Sequence, residues 1–211
     1  VLGCTDPLAD NYNFDANEND GSCLYPDNGN FSLIFNGNNN EHIITENFAM
    51  NFSDITSFNF DFFTNTFEDQ DSHYLFDIIN GNDQRFTIII GPDLSYLEVG
   101  YNSDNNLSSF FTLENLEPNI TYNFNVELDF NNSIINLFIN GELHSDVQLN
   151  FSDFLFTNAD LYIGNRYTLN NNSSKFMDNI NISNNGNLIS QYNFNSGSGD
   201  IAYDRSGNQN H

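Results

Sequence analysis

The side chains best suited to chemistry in this chain are oxygen donors. Asp6, Asn11, Asn13, Asp15, Asn17, Asn19 and Asp20 fall within one short N-terminal stretch. A second set, Asn36 and Asn39 with Asp204 and Asn208, lies in turn-like segments near the two ends of the remainder. Ca2+ takes roughly six to eight oxygen ligands in flexible geometry, which Asx-rich loops supply. Each set is therefore a candidate calcium site. The same residue types are also the commonest turn formers, and that reading stands beside the first. Asp15-x-Asn17-x-Asn19-Asp20-Gly21 opens like an EF-hand loop. Its glycine comes one place late and no glutamate closes the loop, so it is not an EF-hand.

Cys4 and Cys23 bracket the N-terminal set, and the chain has no other cysteine. A loop of this order closed by a disulfide is stabilised by about 3 kcal/mol. The pairing implies an oxidising compartment; two free thiols flanking the loop are the alternative. Tyr101, Tyr167 and Tyr203 lie in or beside polar loops and are candidate ligand contacts, with turn packing as the plainer role.

Catalytic chemistry finds little support. His42, His73, His144 and His211 are scattered, and no G-x-S-x-G or cysteine nucleophile occurs. Glycosidases that work from a β-sandwich place two carboxylates to flank the scissile bond. An E-x-D-x-x-E run would do this from one strand and is absent; Glu114 and Glu117 sit at a strand end before Pro118. The chain is not expected to be an enzyme.

Composition narrows the partners. The 211 residues carry 29 acids against four bases, a net charge of −25, with 15% aromatics and no Trp. Such a surface repels phosphate backbones and anionic lipid, so neither nucleic acid nor a membrane surface is an expected partner. No apolar run reaches the ~18 residues of a membrane span. The apolar and aromatic content is too high for a disordered chain. The chain has no initiator Met and no signal peptide and stops just after a turn-like stretch, so a processed chain or a fragment is expected. Asn-X-Ser/Thr sequons recur at Asn30, Asn51, Asn106, Asn119, Asn131, Asn150, Asn171, Asn172 and Asn181, mostly as a consequence of abundant Asn.

These residues must be positioned by strands. From Ile120 to Leu149 the sequence reads as one long hairpin. Tyr122, Phe124, Val126, Leu128 and Phe130 alternate with Thr121, Asn123, Asn125, Glu127 and Asp129, the mark of a strand with one buried and one wet face. Asn131-Asn132-Ser133 makes a polar turn. Ile134 to Ile139, more apolar than the first arm, reads as a strand covered on both sides. Asn140-Gly141 suits a type I′ turn, since both residues tolerate positive φ. Phe58, Phe60 and Phe62 oppose Asn59 and Asp61 in a second alternating run, Ile55 to Phe62. Further strands are expected at Phe31 to Phe35, His42 to Thr45, Tyr74 to Ile78, Arg85 to Ile90, Leu94 to Tyr101, Leu107 to Leu113, Leu161 to Asn165, Phe176 to Ile182 and Leu188 to Phe194. Short strands at regular spacing with Gly and Asn turns and no helical period indicate an all-β, two-sheet antiparallel sandwich. Residues 1–26, short of strand pattern, form a separate Asx-rich segment, and residues 27–211 form the main domain.

Two resemblances add to this. Gly3-Cys4-Thr5-Asp6-Pro7 through Asn19-Asp20-Gly21-Ser22-Cys23 resembles the short GCTDP…DGSC repeat of secreted surface proteins, particularly of marine bacteria, with Phe14 and Asn19 departing from it. Phe35-Asn36-Gly37, Leu137-Phe138-Ile139-Asn140-Gly141, Leu161-Tyr162-Ile163-Gly164-Asn165, Phe176-Met177-Asp178-Asn179-Ile180 and Tyr192-Asn193-Phe194 with Asp204-Arg205-Ser206-Gly207-Asn208 follow the order of the laminin G-like, concanavalin A-type jelly roll. The missing Trp residues, with Phe or Tyr in their place, and Met177 depart from that pattern. The resemblance implies a secreted or cell-surface binding or adhesion module, with Ca2+ at its rim and a glycan or surface protein as partner. The alternative is a structural subunit of an extracellular filament, surface layer or tandem array that binds copies of itself.

Overall fold

Period-two alternation runs through most of the chain, and the strands follow it. The computed structural model describes residues 1–37, 41–65, 71–81, 84–102, 106–114, 116–166 and 174–211, the side chains of residues 106 and 174 excepted. In chain order the strands are β1 (Leu2–Gly3), β2 (Glu18–Asn19), β3 (Leu33–Asn36), β4 (Ile43–Phe52), β5 (Ile55–Phe63), β6 (His73–Ile79), β7 (Arg85–Ile90) and β8 (Tyr96–Asn102). They continue as β9 (Asn106–Thr112), β10 (Tyr122–Asp129), β11 (Ile134–Ile139), β12 (Glu142–Gln148), β13 (Phe154–Ile163), β14 (Ser174–Asn184) and β15 (Asn187–Tyr192). No helix occurs among the described residues.

The main body is a sandwich of two antiparallel sheets. One runs β12-β11-β10-β5-β14-β15, with β3 also paired to β14; the other runs β4-β13-β6-β7-β8-β9. β1 and β2 form a short parallel pair inside the N-terminal segment. The hairpin expected around β10 and β11 forms, and Asn140 and Gly141 both take positive φ at its second turn. β7 pairs with β8 across Gly91-Pro92-Asp93 as the spacing suggests.

With no Trp, Phe fills the core. Phe58, Phe60, Phe62, Phe124 and Val126 from the first sheet meet Phe52, Phe76, Phe86 and Phe156 from the second, all essentially inaccessible. Phe58 lies 5.2 Å from both Phe76 and Phe86, and Phe60 lies 5.3 Å from Phe76, so aromatic pairs bridge the two sheets. Such pairs add about 0.5–1.5 kcal/mol each beyond the area they bury. Gly164, which ends β13, sits at φ 85, and a Cβ there would fall 1.9 Å from the Phe35 ring. The glycine in Leu161-Tyr162-Ile163-Gly164 is thus required twice over.

Several elements depart from the sequence expectation; β13, for one, starts at Phe154 and not at Leu161. β4 runs on to Phe52 instead of stopping at Thr45. Its alternation breaks at Glu46 and Asn47, where Asn47 takes φ 58 and the register against β13 shifts. A bulge of this kind inserts a residue without ending the strand, so a search for strict alternation stops too early. β11 lies one strand from the sheet edge, with Ile134, Phe138 and Ile139 only half-buried, so it is not covered on both faces. The first strand starts at Leu33, leaving Phe31 outside it.

The N-terminal segment has its own small core of Cys4, Ala9 and Tyr25, with Cys23 and Tyr203 packed against it. Cys4 and Cys23 are joined as a disulfide.

One buried group conflicts with its surroundings. His73 on β6 is fully buried, edge-on to Phe62, and neither ring nitrogen has a hydrogen-bond partner among the described residues. Burial, aided by the charge on Lys175, pushes its pKa from the ordinary 6.5 down to about 3. The unfolded chain binds this proton below about 6.5 and the folded chain does not, so the fold loses stability as pH falls from 6.5 towards 3. His73→Leu should therefore raise the melting temperature, and by a clearly larger margin at pH 5 than at pH 8. Equal margins at the two pH values, read by thermal melts of parent and variant, would contradict this account of His73.

Candidate ligand-binding site

The outer face of the first sheet is where polar side chains converge. Alternation that sends Phe58, Phe60 and Phe62 inward sends Ser57, Asn59, Asp61 and Phe63 outward. Strand pairing then lines up their partners. Asp61 stands opposite Asn123 on β10 and Asp178 on β14; Asn59 stands opposite Asn125 and Asn181; Ser57 stands opposite Glu127 and Ser183. Gln191 on β15 and Asn136 on β11 extend these rows.

The rows are stitched by hydrogen bonds. The Asn123 side-chain amide donates to Asp61 Oδ1 at 2.8 Å, and the Asn59 amide donates to Asn123 Oδ1 at 3.2 Å. Gln191 donates to Asn181 at 2.8 Å, Asn136 donates to Glu127 at 3.1 Å, and the Ser57 and Ser183 hydroxyls lie 2.8 Å apart. The result is a flat grid of amides, carboxylates and hydroxyls. Asn125 Oδ1, within the grid, is buried with no hydrogen-bond partner among the described residues.

A pocket closes one end of the grid. Its cavity, about 370 Å³, is lined by Asn30, Ser32, Asp61, Phe63, Thr121, Phe176, Asp178 and Asn179. Phe63 and Phe176 face each other across β5 and β14, edge to face at 4.9 Å. Next to them β14 bulges: its register against β5 shifts between Asp178 and Asn181, and Asn179 takes φ 50. The extra residue presents Asp178 and Asn179 together at the pocket. The Asn179 side-chain amide donates to Asp61 Oδ2 at 2.8 Å and faces Asp178 Oδ2 at 3.4 Å, while the Asn179 N–H donates to Asp178 Oδ1 at 2.7 Å. Burial pushes the Asp178 carboxyl above the ordinary carboxylate value; the Asn179 N–H opposes this and the Asp61 charge adds to it.

The residues singled out from sequence are placed elsewhere. Asp204 is fully buried, and its two oxygens accept from Gln191 N, Ser206 N, the Ser206 hydroxyl and Asn210 N at 2.8–2.9 Å. A carboxylate has about four acceptor directions, and all are engaged. The Asn208 amide donates to the Leu188 and Ile189 carbonyls, and Asn36 bonds Glu41. Asp6, also buried, accepts from Tyr25 OH at 2.5 Å, His211 Nε2 at 2.6 Å and Leu8 N at 2.9 Å. His211 Nδ1 accepts the Asp204 N–H, which leaves the ring proton on Nε2 for Asp6. Burial works against the Asp6 charge, but Tyr25, Leu8 and His211 together hold its pKa below the ordinary value.

In the N-terminal loop, oxygens of Asn11, Asn13, Asn19 and Asp20 accept the N–H groups of Leu24, Asp15, Gly21 and Ser22, and Asn17 accepts from the Val1 ammonium. The bonds of Asn13, Asn19 and Asp20 are local turn bonds, those of Asn11 and Asn17 tie distant parts of the segment together, and Asp15 is exposed beside them. Among the described residues no three His, Cys, Asp or Glu side chains are placed to hold a metal ion. Asp6, Asp204, Asp20 and the oxygens of Asn11, Asn13, Asn17 and Asn19 accept from protein donors. Asn39 and Tyr167 lie outside the described residues. Tyr101 stacks on Phe154 at 4.0 Å at the margin of the core, and Tyr203 packs 5.5 Å from Tyr25.

Sequence reasoning missed Asp61, Phe63, Phe176, Asp178 and Asn179 as a site. One signal was present: Asp178-Asn179 interrupts the alternation between Met177 and Ile180.

No protein-family model matches the chain, and no curated protein matches it. Solved structures share its fold. The mouse laminin alpha1 chain, domains LG4-5, aligns with a TM-score of 0.58 and 12% identity over 78% of this chain and 45% of that one. The botulinum neurotoxin serotype G binding domain aligns at 0.53 with 16% identity, over 75% and 42% of the two chains. The receptor binding domain of the botulinum neurotoxin C/D mosaic serotype aligns at 0.52 with 15% identity, over 75% and 39%. The chain spans less than half the length of each. Its fold is the laminin G-like jelly-roll sandwich.

If Asp204 is a structural acceptor, removing it strands buried donors, each at about 1–3 kcal/mol. Asp204→Ala should cost roughly 3 kcal/mol or more. The loss should be equal in chelator and in added Ca2+ at constant ionic strength. Equilibrium unfolding under both conditions measures this; a loss that appears only with Ca2+ present would make Asp204 a metal ligand.

Proposed function

We propose that this chain is a non-catalytic extracellular binding module whose ligand is a glycan laid across the outer face of β10, β5 and β14 and seated in the pocket beyond it. The observation that carries this reading is the hydrogen-bonded polar grid running into a partly aromatic cavity. Most small-molecule pockets are apolar with a few polar groups; this cavity is mostly polar with Phe63 and Phe176 as an aromatic wall, a make-up suited to a hydroxyl-rich ligand. Hydroxyl groups both donate and accept, so a sugar can exchange bonds with amides and carboxylates at each row.

Asp61 and Asp178 do not make this an enzyme site. Both face the single side-chain amide of Asn179, so they form one acceptor group on one floor. Glycoside cleavage needs two carboxyls flanking the scissile bond. The disulfide supports an oxidising, extracellular setting, at a cell surface or in secreted form. Adhesion to a glycan-bearing surface follows naturally from such a module. Assembly of copies into a filament is opposed by a net charge of −25 on each chain unless salt screens it.

A panel of neutral, amino and acidic glycans tests the reading. At least one should bind, and Asn59→Ala with Asn123→Ala should weaken it by tenfold or more while leaving the melting temperature within a few degrees. Tyr101→Ala should leave the affinity unchanged, and the recovered glycan should keep its mass. An empty panel, or binding indifferent to the grid variants, would defeat the proposal.

A further inference from the structure

Resting on the glycan reading above, we infer that the pocket selects a sugar bearing a protonated amine. Asp61 and Asp178 are directly opposed on neighbouring strands, where like charges destabilise a sheet. Their partners among the described residues are the neutral amides of Asn123 and Asn179, and no cation pairs with either there. The bulge that brings Asp178 to the pocket also holds Asn179 at positive φ, an uncommon conformation for a residue with a side chain. Paired negative charge therefore sits at one cavity, with Phe63 and Phe176 in its wall. A cation offsets the charge repulsion, and aromatic rings add to its attraction. An ammonium on a sugar ring fits both features: the charge meets the carboxylates, the ring's C–H face meets the phenyl groups, and its hydroxyls continue onto the grid.

The rest of the molecule excludes the opposite choice. A sulfated or uronate glycan needs exposed cations, and the four basic side chains are occupied within the fold. Arg85 pairs with buried Asp77, and Lys175 is buried with its Nζ over Phe35. Arg166 is half-buried over Tyr74, and Arg205 is half-buried over Tyr25 and donates to the Pro26 carbonyl. The net charge steers cationic ligands in and polyanions away.

Calorimetric titration of the whole chain decides the matter, with oligomers of glucosamine, the same oligomers N-acetylated, a heparin fragment and spermidine as probes. The glucosamine oligomer should bind at least tenfold more tightly than its acetylated counterpart, and heparin should not bind. The double variant Asp61→Asn, Asp178→Asn keeps side-chain size and should abolish that preference while retaining the weaker acetylated binding. Equal binding of the two oligomers to the parent would overturn the amine inference and leave the glycan reading intact. Failure of both oligomers, with another neutral sugar binding through the grid, would likewise overturn only the inference. Spermidine matching the glucosamine oligomer would show a bare cation site and overturn the commitment to a sugar. Loss of the amine preference on adding Ca2+ at constant ionic strength would overturn it too, by assigning the pocket to a metal ion.

Discussion

The structure depends on three strands that keep largely different company on their two faces. β5, β10 and β14 alternate apolar and polar residues. Pairing them antiparallel places Phe58, Phe60, Phe124, Met177 and Ile182 in one layer and Asn59, Asp61, Asn123, Asp178 and Asn181 in another. A slip of one residue in any of them would exchange the two sets. Burying the Phe layer against the second sheet fixes the register, and that register assembles the polar grid. Core and candidate site are thus two consequences of one pattern.

A second constraint holds the ends. Asp204 gathers the backbone of β15 and the C-terminal loop, and its N–H holds His211, whose other nitrogen reaches Asp6 in the N-terminal segment. Tyr25 and Arg205 complete this contact through Asp6 and the Pro26 carbonyl. Two buried carboxylates therefore tie a disulfide-closed loop to the sandwich. Their lone pairs are used for this, which is why an acid-rich rim is a structural clasp here.

Much of the fold was legible in the sequence because alternation and turn chemistry are local. The hairpin of β10 and β11, the Asn140-Gly141 turn, the inward Phe run of β5 and the Cys4–Cys23 bridge all follow from neighbouring residues. Bulges are not legible in the same way: the break in period at Glu46-Asn47 reads as the end of a strand, although β4 continues through it. The pocket was hidden for a different reason. Asp61 and Asp178 become neighbours only through the pairing of β5 with β14, and neither residue's own surroundings reveal it. The same holds for Asp6 and Asp204. Their donors, His211 and Gln191 among them, come from other segments, so in sequence the acids look like unengaged ligands.

The central claim is that ligand lies on the outer face of β10, β5 and β14. Heteronuclear NMR of the side-chain amides, titrated with a glucosamine oligomer and with its N-acetylated form, reads that face directly. The account predicts that Asn59, Asn123, Asn179 and Asn181 shift together and saturably with at least one of the two, while Asn11 and Asn208, on the N-terminal loop and the C-terminal clasp, stay still. Shifts confined to those loops, with the grid amides unmoved, would contradict it.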